Sequence, residues 1–130
     1  MSAQGYIVND VTLNPTYWYK DIDFFCTNPA TGNTRSFECK WDACINRTGN
    51  LYLEMESRFT KQAGIEGQGW FKWCEADFLA YGDAVAQVFY VIPMDKLKER
   101  LKTLPYRRAQ CGSDSVGQLV ALKDIIDIAI

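Results

Sequence analysis

Apolar and polar positions alternate over Leu51-Tyr52-Leu53-Glu54-Met55-Glu56 with a period of two, which predicts a strand carrying Glu54 and Glu56 on one face. Upstream, Ile22 to Thr27 and Arg35 to Trp41 have the aromatic content of strands, and Asn28-Pro29-Ala30-Thr31-Gly32-Asn33 between them is turn chemistry. The two segments are expected to form a hairpin with the 51–56 strand as a third, antiparallel member. A turn centred near Ala30 sets Asp23 opposite Glu38 and Asp21 opposite Lys40. Further along, Trp70 to Trp73 reads as a strand and Cys74 to Tyr81 as a short helix or turn ending at Gly82. The continuous apolar run Ala86 to Ile92 predicts a buried central strand closed by Pro93. Leu97, Leu101 and Leu104 recur at helical spacing behind Asp95, so Met94 to Leu104 is expected to be an amphipathic helix with a basic outer face. Gln118 to Leu122 follows as a short strand and Asp124 to Ile130 as a short helix. Signals are weakest over residues 1–20, which hold an aromatic Tyr17-Trp18-Tyr19 cluster, and over Lys61 to Gly69, a glycine-rich segment expected to be a mobile loop. The order predicts an α/β fold: a central mixed β-sheet, an antiparallel hairpin plus parallel strands, flanked by helices.

At 130 residues the chain fits a single domain, 1–130, and 48% hydrophobic content with 14% aromatics is enough to build a core. No apolar run approaches the ~20 residues of a membrane-spanning helix, and the N-terminus lacks the basic and apolar segments of a secretory signal, so a cytoplasmic protein without membrane contact is expected. The chain contains no histidine, which excludes Ser-His-Asp and Cys-His catalysis and imidazole-ligated metals. Its five cysteines lack CxxC spacing and are expected to be reduced thiols, mostly buried. A net charge of −2 argues against coating nucleic acid by bulk electrostatics, though not against an acidic metal pocket with basic patches beside it.

Side chains at i and i+2 of a strand share a face, so Glu38 and Lys40 point one way, and Phe37, Cys39 and Trp41 are expected to point into the core. The neighbouring strand brings Asp23, or Asp21 if the register differs, to the charged face. Carboxylates this close repel unless a cation neutralises them, and Mg²⁺ (or Mn²⁺) takes oxygen ligands without needing histidine. The plainer reading of the same residues is an exposed strand face carrying cross-strand ion pairs.

The order of these segments adds to that reading. Asp23 at the start of an apolar strand, a turn, and Phe37-Glu38-Cys39-Lys40 on the next strand resemble the PD-(D/E)xK nuclease superfamily, the restriction-endonuclease-like fold. Asp21-Ile22-Asp23, Phe37 to Asp42, Thr48-Gly49-Asn50 with Glu54, and Gly69-Trp70 followed by Ala76-Asp77-Phe78 are similar to small nuclease-like proteins of phages and bacterial genomes, over about residues 21–104. The resemblance implies a hydrolase that cleaves DNA phosphodiester bonds, an endo- or exodeoxyribonuclease with no organic cofactor. In it Asp23, Glu38 and the main-chain carbonyl of Cys39 hold the metal, and Lys40 positions the attacking water. Asp21 is the fallback ligand, and Glu54 a residue for a second metal or a metal-bound water. Arg58, Lys61, Lys72, Lys98 and Lys102 would contact phosphates. The family's N-terminal helix has no counterpart in the first 20 residues, and a domain shortened in this way points to a homodimer. The alternative from another class is a catalytically inactive nuclease-like module that binds nucleic acid or assembles with a partner.

Overall fold

A computed structural model of the chain describes residues 5–18, 20–61 and 64–130; Tyr19 of the N-terminal aromatic cluster and residues 62 and 63 of the expected loop lie outside the described residues. The elements in chain order are β1 (Ile7–Asp10), α1 (Pro15–Trp18), β2 (Phe24–Thr27), β3 (Thr34–Asp42), α2 (Ile45–Thr48), β4 (Asn50–Ser57), α3 (Trp70–Trp73), β5 (Phe78–Asp83), β6 (Val88–Pro93), α4 (Met94–Leu101), β7 (Arg108–Cys111) and β8 (Ser115–Ala121). Two 3₁₀ turns, Leu122–Asp124 and Ile126–Ile128, follow. Five strands form a mixed sheet in the order β1-β2-β3-β5-β6, in which β3 and β5 are parallel and the other neighbours antiparallel. The remaining three form an antiparallel sheet in the order β4-β8-β7. The protein is thus α/β with a mixed sheet.

The β2–β3 hairpin has the expected register, from Phe24 opposite Phe37 to Thr27 opposite Thr34. Its turn closes through Asn28 N–H on the Asn33 carbonyl (2.8 Å) and Gly32 N–H on the Asn28 carbonyl (2.7 Å), with Gly32 at φ +75° where a side chain would be strained. Regular pairing ends at Asp23, whose N–H donates to the Phe37 carbonyl at 2.8 Å while its carboxylate turns back onto the strand.

Several local expectations are corrected. Trp70 to Trp73 is a single helical turn, and the segment expected as a short helix or turn, Cys74 to Tyr81, contributes Phe78 to Tyr81 of β5. The 51–56 strand is not the third strand of the hairpin sheet but the edge of the second sheet, and β1 and β7 fall where no strand was expected. The helix after Pro93 is shorter than its leucine spacing suggested, and the chain ends in 3₁₀ turns.

The main core lies between the sheets. Leu51 and Leu53 of β4, Leu79 and Tyr81 of β5, Ile92 of β6, Leu97 of α4, Val120 of β8 and Ile125 pack there, most with no exposed surface. Each fully buried aliphatic side chain contributes about 1.5–3 kcal/mol. A smaller cluster sits on the opposite face of the five-stranded sheet, where Phe24, Phe37 and Phe78 stack at centroid distances of 4.8 and 5.1 Å beside Cys26 and Ala80. Trp41 and Phe89 meet on that face at 4.8 Å across Gly82, at which any Cβ would overlap the Trp41 ring.

Candidate functional site

Parallel pairing places Glu38 beside Leu79 and Lys40 beside Tyr81, residues that fill the main core. The charged face of β3 is therefore its inner face. Phe37, Cys39 and Trp41, expected to point into the core, lie on the outer face instead, where Phe37 belongs to the smaller cluster and Trp41 is 54% exposed. Alternation separates the two faces of a strand, and the strands paired with it decide which one turns inward.

Glu38 is 3% exposed, and its Oε1 lies 2.7 Å from the Lys40 ammonium. The same ammonium is 3.8 Å from Asp21 Oδ2 and 4.4 Å from the centre of the Trp70 ring, close enough for a cation–π contact. Glu38 Oε2 and Asp21 Oδ2 are both buried without a hydrogen-bond partner. Asp21 has φ +55°, a left-handed conformation that Asp adopts more readily than most residues. Its carbonyl accepts the Cys74 thiol at 3.5 Å, and the buried Ile22 follows it.

The electrostatics follow from this crowding. Burial pushes the Glu38 carboxyl well above the usual range; Lys40 offsets part of the shift, while Asp21 and Asp23 add to it. Asp21 is raised for the same first reason, again against the pull of Lys40. Burial disfavours the Lys40 charge, but Asp21 and Glu38 outweigh it and the ammonium is held more firmly than usual. A site with more carboxylates than ammonium groups retains a proton or attracts a cation. The thiols of Cys39 and Cys74 are each pushed up to about 12 by burial and nearby carboxylates, so neither is a nucleophile near neutral pH. Of the five cysteines, Cys26 and Cys74 are buried, Cys39 is partly buried, and Cys44 and Cys111 are exposed.

The other expected ligands have different neighbours. Asp23 Oδ2 accepts the Cys39 N–H at 2.8 Å, so its side chain ties the end of the hairpin together, and it is Asp21 that reaches Lys40. Glu54 accepts the Trp70 N–H at 3.3 Å on Oε1 and the Ser115 hydroxyl at 2.8 Å on Oε2. Gly69, whose N–H donates to the Met55 carbonyl at 2.8 Å, lies so close that a Cβ there would overlap the Glu54 backbone carbonyl. Glu54 thereby positions Trp70 over Lys40.

Of the expected phosphate contacts, Arg58 pairs with Asp114, Lys102 pairs with Glu99, and Lys98 reaches the Cys74 carbonyl at 3.4 Å; Lys61 and Lys72 are exposed. None of the five lines the cleft that opens beside Lys40. That cleft, about 490 Å³, lies at the carboxyl ends of the parallel strands β3 and β5 and is lined by Tyr52, Trp70, the buried Tyr81 and Arg47, together with Trp41, whose ring packs on Phe89 on the outer face. Ligand clefts in sheets with parallel strands favour such strand ends, a rule that could have singled out Arg47 and Tyr52 once β3 and β5 were known to be parallel.

Among the described residues no group of three or more Asp, Glu, Cys or His side chains is arranged to hold a metal ion. The pair Asp21 and Glu38, each with a buried oxygen lacking a partner, does suit Mg²⁺, which often binds through one or two carboxylates and keeps several waters. No helix among the described residues is long and apolar enough to cross a membrane. No family model, no curated protein and no solved structure matches the chain.

Proposed function

We propose that the protein is a Mg²⁺- or Mn²⁺-dependent nuclease with a restriction-endonuclease-like fold that hydrolyses DNA phosphodiester bonds. One observation carries the reading: the Lys40 ammonium sits against two buried carboxylates, each with an oxygen that has no hydrogen-bond partner. A hairpin feeding Asp-x-Asp and Glu-x-Lys to one end of a mixed sheet also supports it.

In this reading Asp21 takes the ligand role expected of Asp23, and Glu38 is its partner. A bound divalent ion would supply the positive charge that balances these acids and a phosphodiester oxygen. Lys40 orients the attacking water, held in place by Glu38 on one side and Trp70 on the other. Asp23 and Glu54 act as positioning residues, through the Cys39 N–H and the Trp70 N–H.

Because two acids expected at a metal, Asp23 and Glu54, are engaged in structural hydrogen bonds, the second reading is a catalytically inactive nucleic-acid-binding or assembly module. Two measurements separate them. Calorimetry with Mn²⁺ is expected to show saturable binding that Glu38→Gln abolishes, with proton release on binding. Incubation with plasmid, linear and branched DNA in Mn²⁺ is expected to give cleavage that Lys40→Ala loses. Absence of both metal binding and cleavage in the wild type supports the inactive module, and cleavage unchanged in Lys40→Ala overturns the site.

A further inference from the structure

The cleft beside Lys40 has a chemistry that the hydrolytic site does not need. Its volume, about 490 Å³, falls in the range of small-ligand pockets, and two half-buried aromatic residues, Tyr52 and Trp70, lie on its lining. Tyr52 is held in place: its hydroxyl shares a hydrogen bond with the Ser115 hydroxyl at 2.7 Å, and its N–H donates at 3.0 Å to the Tyr81 hydroxyl, which itself donates to Asp42. Asp42, the acid on the lining, is occupied by the Tyr81 hydroxyl and by the Cys44 N–H at 2.6 Å. Arg47, in the last turn of α2, is exposed, and its guanidinium has no ion-pair or hydrogen-bond partner among the described residues. The cleft thus combines stacking surfaces, an acid whose two oxygens are already taken up by internal hydrogen bonds, and a cation ready for an anion.

We propose that this cleft receives one unpaired nucleotide of a DNA strand, its base against the aromatic walls and its phosphate on Arg47. The inference rests on the nuclease reading only in placing the neighbouring phosphate at Lys40. Stacked duplex bases cannot enter a pocket of this kind, whereas a single-stranded, frayed or flipped base can. The preferred substrate class is therefore DNA with an unpaired segment or end.

The test is made without divalent cation, in EDTA, so that binding is read apart from cleavage. Trp70 lines the cleft beside Lys40, and its fluorescence reports the cleft's occupancy. The probes are a single-stranded oligodeoxynucleotide of about ten nucleotides and a duplex of the same sequence whose two ends are closed by non-nucleotide linkers, so that it holds no unpaired base. The single strand is expected to quench saturably and bind at least about tenfold more tightly than the closed duplex. Arg47→Glu and Tyr52→Ala are each expected to weaken single-strand binding about five- to hundredfold, the span of base–aromatic stacking effects. Arg47 is exposed and Tyr52 half-buried, and a thermal melt confirms that each variant is folded. Equal affinity for the two probes, or wild-type affinity in both folded variants, overturns the proposal. Single-strand binding that responds to Arg47 and Tyr52 in a protein showing neither metal binding nor cleavage would leave this inference standing and remove the hydrolase. Cleavage of duplex and single strand alike, with no cleft-dependent binding, would do the reverse.

Discussion

The two faces of β3 reverse the usual arrangement of a half-buried strand. Glu38 and Lys40 face the main core among Leu79 and Tyr81, while the opposite face shows Trp41 to solvent and holds a smaller aromatic cluster. A buried ion pair is weak evidence for stability, because desolvation of both charges offsets their attraction. The outer face costs little to maintain and the inner one is expensive. Charges kept on the expensive face point to a purpose other than folding.

The sharpest way to break this comparison is to remove the ammonium. Lys40→Met leaves the Glu38 and Asp21 carboxylates buried without a counter-charge and is expected to lower stability at neutral pH by about 3–5 kcal/mol, measured by urea denaturation. Replacing the whole set, Asp21→Asn with Glu38→Leu and Lys40→Met, is expected to recover most of that loss while leaving no Mn²⁺ binding. A triple variant as unstable as the single one would show that the charges hold the fold together.

Next in size is the backbone contact that seats Trp70. Gly69→Ala sets a methyl group against the Glu54 main chain, which cannot swing aside, and is expected to cost about 1–3 kcal/mol and to weaken Mn²⁺ binding by displacing Trp70 from Lys40. Gly82→Ala meets chiefly the rings of Trp41 and Phe89, both about half exposed and free to turn outward. Its loss should fall at the low end of that range, with metal binding intact.

The pH dependence comes third. Glu38 titrates higher in the fold than its ordinary value near 4.5, so between the two the folded state holds more protons than the unfolded chain. Stability therefore falls as pH rises from about 4.5 toward the raised folded value, by at most about 1.4 kcal/mol per pH unit for one proton. Melting temperatures across pH 5–8 are expected to decline in the wild type, less so in Glu38→Gln and less so with saturating Mn²⁺. The smallest effect belongs to the outer face: Trp41→Ala, at a half-exposed site, is expected to cost about 1 kcal/mol or less in the same denaturation assay.

The hairpin, its register, the strand from Leu51 and the helix after Pro93 were legible because turn residues and periodicity are local. Trp70 to Trp73 misled because a four-residue segment with three aromatics suits a strand or a helical turn equally, and the choice falls to the Trp70 N–H on Glu54, sixteen residues away. The segment entering β5 misled in the other direction: its alanines and glutamate favour helix, yet a strand flanked on both sides by others takes an apolar segment whatever its propensity. The acidic cluster was visible as a set of residue types. Which aspartate enters it was not, since Asp21 reaches Lys40 only through a left-handed backbone that follows no alternation.

That single backbone inversion separates shape from charge. Asparagine tolerates the same dihedral angles as aspartate, so an Asp21→Asn protein keeps the bend and gives up only the ionisable oxygen. A β-branched replacement there would lose both at once, unable to hold the corner that delivers the side chain. The loop before β2 works as a mount for an acid, formed before any ion arrives.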